Sequence, residues 1–276
     1  MEMRYTADRN SYRRMTSDEL RDSYLIGDLF TPGTVSLTYT DVDRAVVGSI
    51  VPLGKPLTLP THKELAAEYF AERREIGVIN IGAAGSVTVD GETYVMNNRD
   101  SLYIARGSRA IEFHSSDATT PALFYLLSYP AHTSYKTNLV PKSQAKRLEM
   151  GTLEDSNKRI IYQSIRPGIV ETCQIVMGFT ELDKGSVWNT FPPHTHRRRS
   201  EVYMYFDLSE TSRVFHFMGE PNETRSIVLK NGDAVISPSW SVHSGCGSRN
   251  YTFIWGMGGE NQEFTDMDGV DINLIK

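Results

Sequence analysis

Short runs of β-branched and aromatic residues recur along most of this chain, and each run is bounded by glycine, aspartate, asparagine or proline. β-branched and aromatic side chains favour an extended backbone, whereas the bounding residues favour turns. Many short strands separated by frequent turns are typical of an all-β sandwich or barrel. The clearest runs are Val35–Tyr39, Ile76–Ile81, Ser86–Val89, Ser101–Ile104 and Leu123–Ser128.

The runs fall into two blocks, which predicts two β-sandwich or jelly-roll barrels with few short helices. A short helix is expected near the start, where Thr16 can cap a helix and Glu19 lies three residues later. A second helical segment is expected at Lys63–Phe70. The predicted order is an N-terminal arm over residues 1–33, a first barrel over 34–135, a polar connector over 136–158 and a second barrel over 159–276.

Composition limits the partners of this chain. Its 276 residues contain 29 Lys and Arg against 34 Asp and Glu, a formal net charge of -5. The longest basic run, Arg197–Arg199, is too short for a nucleic-acid groove. No apolar stretch has the length of a membrane helix, and the first residues lack the apolar stretch of a signal peptide. We therefore expect a cytoplasmic protein that binds neither nucleic acid nor membranes, with small polar molecules as ligands.

The segment His194-Thr195-His196 carries the strongest chemical signal. Side chains alternate between the faces of a strand, so both histidines project to one side and can bind one ion. Glu201 follows, and His243 can complete the set from another strand. Three imidazoles and one carboxylate suit a divalent transition metal better than calcium or magnesium, which prefer oxygen ligands. The alternative is a solvated strand end, where Glu201 pairs with neighbouring arginines and the position of His243 is a coincidence.

The two blocks resemble each other, which indicates an internal repeat. Asp100–Ala110 matches Asp233–His243 in spacing and apolar pattern, with alanine at the position of the histidine. Upstream, Arg74–Val78 resembles Ser200–Met204, with Glu75 as the counterpart of the ligand glutamate. The residues at the two remaining ligand positions of the first block are then not histidines. We therefore expect a metal-free first barrel and one metal per chain, in the second barrel.

The order of these residues resembles the two metal motifs of the cupin superfamily, which carry His-x-His and Glu, then Gly, Pro and His. The sequence departs from these cupin motifs at two loop positions. Trp240 stands where a glycine is usual, and no glycine lies at the usual distance before His194. Further strings resemble one family, the 5-keto-4-deoxyuronate isomerases, and this resemblance extends over nearly the whole chain. The strings are Cys173–Thr180, Gly185–Thr190, Pro192–Asp207, Phe215–Pro221, Ile236–Ser241 and Met257–Gln262.

The resemblance implies a zinc-containing bicupin that interconverts 5-dehydro-4-deoxy-D-glucuronate and 3-deoxy-D-glycero-2,5-hexodiulosonate in pectin and uronate breakdown. It also implies a homohexamer, and one Zn²⁺ per chain held by His194, His196, Glu201 and His243. This ketol isomerisation passes through an enediolate, whose negative charge a divalent ion can stabilise as a Lewis acid. With four protein ligands in a tetrahedron, the substrate must either expand the coordination or displace Glu201.

The sequence offers several candidates for substrate contacts. Strand alternation places Tyr203 and Tyr205 on the same side as the ligand glutamate, where they either line the pocket or only fill the barrel. The carboxylate of an acidic sugar needs a cation, and the planar fork of arginine suits it. Candidate cations are Arg197, Arg199 and Arg225, each of which can instead be a solvated or interface charge. No residue is identified as the base that moves the proton, and Glu201 as a proton shuttle is a further hypothesis with which its role as a ligand competes.

Two other functions are compatible with the same residues. Three histidines and one glutamate also bind Fe(II) or Ni(II) in cupins that use oxygen, so a metal-dependent dioxygenase is one alternative. The other is a non-catalytic sugar-binding bicupin whose metal is structural. Activity without oxygen excludes the first alternative, and turnover of the uronate excludes the second. The remaining histidines, including His216 in the strand Val214–Phe217, are expected to be structural.

Overall fold

The computed structural model describes residues 1–276, and strands dominate its regular structure. The strands are β1 (Glu2–Arg4), β2 (Leu25–Ile26), β3 (Val35–Thr40), β4 (Val46–Ile50), β5 (Leu57–Thr58), β6 (Arg74–Asn80), β7 (Gly85–Val89), β8 (Glu92–Met96), β9 (Ser101–Ile104), β10 (Ile111–Ser115), β11 (Phe124–Pro130), β12 (Asn138–Val140), β13 (Lys146–Met150), β14 (Arg159–Ile165), β15 (Val176–Leu182), β16 (Trp188–Asn189), β17 (His194–Thr195), β18 (Arg199–Phe206), β19 (Val214–Glu220), β20 (Glu223–Leu229), β21 (Ala234–Ser237), β22 (Val242–Gly247), β23 (Thr252–Gly259) and β24 (Asp268–Gly269).

Helices are few and short, which confirms the predicted all-β class. The α-helix is α1 (Ser17–Tyr24). The 3-10 helices are Ser11–Arg14, Val42–Arg44, Lys63–Leu65, Phe70–Glu72, Lys142–Gln144 and Ile272–Leu274. None of these helices has the length and apolar character that crossing a membrane requires.

The chain divides into two compact units. The first contains Met1–Met3, Leu29–Ala145 and Gln163–Met177, and the second contains Arg4–Asp28, Lys146–Tyr162 and Gly178–Lys276. Most of the residues of the predicted arm thus belong to the second unit. The predicted domain boundaries after residues 33, 135 and 158 stay a prediction.

Each unit contains a seven-stranded and a four-stranded sheet. The strand orders are β1-β3-β4-β11-β6-β9-β12 and β5-β10-β7-β8 in the first unit, and β13-β14-β15-β23-β18-β21-β2 and β16-β22-β19-β20 in the second. Apolar residues from both sheets form the core of the first unit, among them Ile76 and Leu126 from the large sheet and Val87 and Phe113 from the small one. Removing this apolar surface from water is the main force that holds the two sheets together.

The register of β6 shows that the expected match between Glu75 and Glu201 is wrong. In the first unit Ile76 lies opposite Ile104, whereas in the second unit Glu201 lies opposite Ser237. Since Ile104 and Ser237 occupy the same place in the repeat, the counterpart of the ligand glutamate is Ile76. A shift of one residue exchanges the two faces of a sheet. An apolar side chain therefore stands at this position of the first unit.

Glu75 projects from the opposite face of β6, where it is fully buried. One carboxylate oxygen accepts hydrogen bonds from the backbone N–H of Cys173 (2.7 Å) and the hydroxyl of Tyr103 (3.0 Å). The other oxygen accepts from the backbone N–H groups of Gln174 (2.8 Å) and Ile175 (2.9 Å). Three backbone donors and one hydroxyl thus depend on a single side chain for their hydrogen bonds.

One helix prediction is confirmed and the other is wrong. Thr16 and Glu19 form a capping box at the start of α1, since each side chain accepts a hydrogen bond from the backbone N–H of the other residue. The helix expected at Lys63–Phe70 is replaced by two separate 3-10 turns. Ala66 takes the left-handed conformation, with φ of 47°, which ends the first turn because a right-handed helix cannot continue through it.

Tyr12 fastens the N-terminal residues within the second unit. Its side chain is fully buried, and its ring centroid lies 5.0 Å from that of Trp240. Its hydroxyl accepts a hydrogen bond from the N–H of Glu220 (2.8 Å) and donates one to the carbonyl of Glu223 (3.0 Å). These contacts attach residues 4–28 to the hairpin formed by β19 and β20.

Replacing Tyr12 by Phe is expected to destabilise the second unit while keeping the aromatic packing. The change leaves the buried N–H of Glu220 without its acceptor, which costs about 1–3 kcal/mol and lowers Tm by several degrees. Thermal melts followed by circular dichroism measure the effect, with Tyr5→Phe at an exposed tyrosine as the matched control. Identical melting of the wild type and both variants would show that the hydroxyl of Tyr12 contributes nothing.

Candidate metal centre

Three histidines and one glutamate converge in the second unit. His194 lies on β17 and His196 just after it, whereas Glu201 lies on β18 and His243 on β22. β18 and β22 belong to different sheets, so the cluster forms between the two layers. One ligand atom from each side chain lies within 4.8 Å of all the others, and residues 1–276 contain no other group of three or more potential ligands of this kind.

The tips of these four side chains face one another closely. Nε2 of His194 lies 3.0 Å from Nε2 of His196 and 3.1 Å from Nε2 of His243. Oε2 of Glu201 lies 2.8 Å from Nε2 of His243 and 3.3 Å from Nε2 of His196. The exposed fractions of His196, Glu201 and His243 are only 2%, 3% and 1%. Solvent therefore cannot satisfy these polar atoms.

Burial and mutual proximity set the charge of the cluster. Burial, followed by the neighbouring imidazoles of His243 and His196, lowers the pKa of His194 to about 2. Burial by itself raises the pKa of Glu201, but the imidazoles of His243 and His196 outweigh it and hold that pKa below its usual value. At neutral pH His194 is therefore neutral and Glu201 is ionised, the forms in which these side chains bind metals.

The donor set suits a divalent transition metal. Nδ1 of His196 donates to the carbonyl oxygen of Asp266 at 2.6 Å, so its Nε2 directs a lone pair into the cluster. Ligand atoms 2.0–2.1 Å from one ion at tetrahedral angles lie about 3.3 Å apart. The four measured separations run from 2.8 to 3.3 Å. These residues could hold a metal ion, and imidazole with carboxylate accommodates several transition metals.

A C-terminal segment contacts the histidine-bearing strand and one of the histidines. β24 pairs with β17, which carries the first of the histidines. The carbonyl of Asp266 fixes the imidazole of His196, while the Asp266 carboxylate accepts from Nε of Arg198 (2.9 and 3.0 Å) and from Nδ2 of Asn261 (2.6 Å). Partners behind a ligating imidazole fix its tautomer and its orientation. Asp266 is therefore a positioning residue for the cluster.

Replacing Asp266 by Ala is expected to weaken metal binding about 10-fold, the lower end of the effect of losing a partner behind a ligand, because the backbone carbonyl that holds His196 remains. The change frees Arg198 and Asn261 and loosens the carbonyl that holds His196. Competition with a chromogenic chelator measures the dissociation constant for Zn²⁺. Asp266→Asn keeps an oxygen for Arg198 and is expected to lose less. An alanine variant that binds Zn²⁺ as tightly as the wild type would contradict the positioning role.

A cavity of about 310 Å³ opens onto the cluster. His194, His196 and Glu201 line it, and the hydroxyl of Tyr203 lies beside that of Thr190 at 3.1 Å. Burial holds the pKa of Tyr203 well above its ordinary value, so this hydroxyl stays protonated. Most of the remaining wall is apolar, including Phe253, Trp255, Met257, Phe264 and Met267. The cavity thus presents a mostly apolar wall with few polar groups.

The two predicted tyrosines lie on the same face of β18 but have different surroundings. Tyr203 lines the cavity, whereas Tyr205 is not among the lining residues. The hydroxyl of Tyr205 lies 2.8 Å from Nδ1 of His216, and both side chains are fully buried. Tyr205 therefore fills the barrel, and His216 lies in the sheet without joining the metal cluster.

The predicted arginines do not line the cavity. Arg199 is buried and donates to the carbonyl of Asp266 at 3.0 Å. Arg197 is largely exposed, with 82% of its side-chain surface accessible. Arg225 donates to three backbone carbonyls of the N-terminal residues, those of Tyr12, Arg13 and Met15. Existing hydrogen bonds therefore hold Arg199 and Arg225 away from the cavity.

Sequence reasoning missed Arg159, which does line the cavity from β14. No local motif marks this residue, because β14 is far from the histidine segment along the chain. It reaches the cavity through the sheet, in which β15 and β23 separate β14 from β18.

Comparison with known sequences gives close relatives along the whole chain. Residues 30–272 match the KduI/IolB family. The chain is 53% identical over 276 residues to a 4-deoxy-L-threo-5-hexosulose-uronate ketol-isomerase of Lachnoclostridium phytofermentans, and 50% identical over 276 residues to one of Halalkalibacterium halodurans. Both alignments cover 100% of this chain and 100% of the relative.

Similar solved structures have much lower sequence identity. An IolB-like protein of Salmonella typhimurium has a TM-score of 0.68 and 12% identity, covering 87% of this chain and 94% of that chain. Oxalate decarboxylase of Bacillus subtilis, described with Mn(II) centres, has a TM-score of 0.54 and 10% identity, covering 79% of this chain and 69% of that chain. At such identities the similarity concerns the fold alone, and it confirms the predicted bicupin.

Proposed function

The chain belongs to the KduI/IolB family, and from that premise we propose that it is a ketol-isomerase of uronate breakdown. The proposed reaction converts 5-dehydro-4-deoxy-D-glucuronate, an aldose, to 3-deoxy-D-glycero-2,5-hexodiulosonate, a ketose. The observation that carries this proposal is the cluster of three histidines and one glutamate in the wall of a cavity. Relatives bearing the ketol-isomerase name at about half identity support it.

The reaction moves a proton from C2 to C1 and creates negative charge on two neighbouring oxygens. His194, His196, Glu201 and His243 would hold one divalent ion, and we propose Zn²⁺ because it favours nitrogen and oxygen ligands in tetrahedral sites. When bound, such an ion supplies a Lewis acid that stabilises the charge of the enediolate. Three imidazoles leave more net positive charge at the site than a cluster of carboxylates would.

The cavity walls contribute in two further ways. Phe253, Trp255 and Met257 give the cavity an apolar wall, which would exclude water from the cluster once substrate fills the cavity and so strengthen each electrostatic interaction there. Tyr203 keeps its proton because burial raises its pKa, so its hydroxyl can donate a hydrogen bond to a substrate oxygen. The residue that carries the proton between the two carbons is not assigned.

Following ketose formation by NMR tests this function. Purified, zinc-loaded protein is mixed with 5-dehydro-4-deoxy-D-glucuronate in the absence of oxygen. We expect the ketose to accumulate, which excludes the metal-dependent dioxygenase and the non-catalytic sugar-binding protein together. Binding of the uronate without turnover would favour the non-catalytic alternative, and consumption only when oxygen is admitted would favour the dioxygenase.

The homohexamer and the cytoplasmic location stay predictions. Molar mass in solution, measured by light scattering, tests the first of these. A mass of six chains is expected, and a monomer would contradict it.

A further inference from the structure

Arg159 stands out among the charged groups of the cavity. It is the only lysine or arginine that lines the wall, whereas the only lining carboxylate is Glu201 of the metal cluster. Its side chain is partly buried at the start of β14. A single positive charge therefore faces a largely apolar cavity, on a strand that two other strands separate from the strand of Glu201.

The guanidinium of Arg159 has unused hydrogen-bonding capacity. Its Nη1 donates to the carbonyl of Asn157 at 2.8 Å. Burial lowers the pKa of Arg159, and the groups that oppose this shift are the hydroxyls of Tyr203 and Tyr251, not an acid. A partly desolvated cation with no counter-ion is costly, and an anionic ligand in the cavity would remove that cost. A guanidinium has five N–H donors in a planar fork that matches a carboxylate.

Two other arginines lie near the cluster but outside the cavity wall. Arg198 pairs with the carboxylate of Asp266, and Arg199 donates to the carbonyl of the same residue. Neither lines the cavity. Arg159 is therefore the cation that an anion inside this cavity can reach.

Arg159 and the cluster line the same cavity from strands that are not adjacent in the sheet. β14 lies three strands from β18 in the seven-stranded sheet, with β15 and β23 between them. At 4.7–4.9 Å per strand the two backbones are about 14 Å apart. Thr180 from β15 and Phe253, Trp255 and Met257 from β23 form the cavity wall between them. A short open-chain molecule would lie over these two strands, with one end at Arg159 and the other at Glu201.

We propose that Arg159 binds the carboxylate of the substrate, so that a sugar acid lies across the sheet with its carbonyl end at the histidine cluster. This inference rests on the proposed function for the identity of the substrate, but not for the binding itself. It makes the cavity selective for open-chain acids over neutral sugars of the same length. Apolar wall residues such as Phe253 and Trp255 then pack against the carbon chain between the two ends.

Steady-state kinetics of Arg159→Met give the first test. Methionine keeps much of the side-chain length and removes the charge, so we expect KM to rise about 10- to 100-fold, the effect of losing a hydrogen bond to a charged group. The carboxylate lies far from the reacting carbons, so kcat is expected to change much less. Arg159→Lys should restore part of the affinity, because a point charge remains without the fork. Arg249→Met, at an exposed arginine of the same unit, is the control and should match the wild type.

Equilibrium binding of an unreactive pair of probes gives the second test, which does not depend on turnover. Gluconate and sorbitol have the same carbon chain and differ in the carboxylate. Calorimetry on the zinc-loaded protein should show that the wild type prefers gluconate about 10-fold or more, and that Arg159→Met loses this preference.

The outcomes separate this inference from the proposed function. A wild type that prefers gluconate through Arg159 but does not isomerise the uronate would support the inference and refute the proposed function. An Arg159→Met variant that keeps the gluconate preference and the wild-type KM would overturn the inference even if turnover is normal. Absence of any gluconate preference in the wild type would overturn it as well.

Discussion

Replacing His243 by Ala is expected to remove the metal from the cluster and to lower turnover about a thousand-fold or more. The variant loses one of four ligands and leaves Oε2 of Glu201 without its nearest neighbour, the imidazole nitrogen at 2.8 Å. A Lewis acid supplies several kcal/mol of stabilisation to an anionic transition state, and each 1.36 kcal/mol corresponds to about a tenfold change in rate. Metal content by mass spectrometry and ketose formation by NMR are measured on the same samples.

His114→Ala is the matched control for this prediction. His114 is a partly exposed strand histidine of the first unit and does not belong to the cluster. The control should keep both its metal and its turnover. If His243→Ala isomerises the uronate as fast as the wild type, the proposed role of the cluster fails, whatever the metal content.

Replacing Glu75 by Ala is expected to destabilise the first unit by about 3–5 kcal/mol, which is unusually large for one substitution. The carboxylate accepts hydrogen bonds from three backbone N–H groups and from the hydroxyl of Tyr103. Removing it leaves these buried donors unsatisfied and creates a cavity. A marked fall in Tm by calorimetry is the expected result.

Glu64→Ala, at an exposed glutamate of the same unit, is the control and should melt with the wild type. Glu75→Gln is also informative, because the amide keeps one acceptor oxygen but directs an NH₂ group towards backbone donors. It should melt below the wild type and above the alanine variant. A Glu75→Ala protein with unchanged Tm would show that water replaces the lost acceptors at no cost.

The shared face of His194 and His196 could be predicted from the sequence because it depends on local geometry, whereas Glu201 and His243 are added by the order of residues that resembles the cupin motifs. His194 and His196 are two residues apart in an extended segment, so they share a face whatever the rest of the fold does. The role of Tyr203 in the cavity wall follows from the same alternation with Glu201. The start of α1 could be predicted for the same reason, since a capping box needs only two nearby residues, Thr16 and Glu19.

The features that escaped prediction depend on contacts between distant segments. Arg159 reaches the cavity only through the order of strands in the sheet, which periodicity does not reveal. The carbonyl of Asp266 supports His196 as a backbone atom, so its residue type carries no signal. The sequence matches Glu75 to Glu201 because the two short segments align equally well one residue apart, and only the strand pairing distinguishes the faces.

Removing the metal and adding Zn²⁺ back in measured amounts tests most directly whether the metal cluster is needed for isomerisation. The wild-type protein is stripped with a chelator, the residual metal is quantified, and isomerisation of 5-dehydro-4-deoxy-D-glucuronate is followed while Zn²⁺ is added back. We predict that the stripped protein is inactive and that turnover rises linearly to a plateau at about one ion per chain, as a single cluster of four ligands requires. Full turnover by protein that contains no measurable metal would contradict the account.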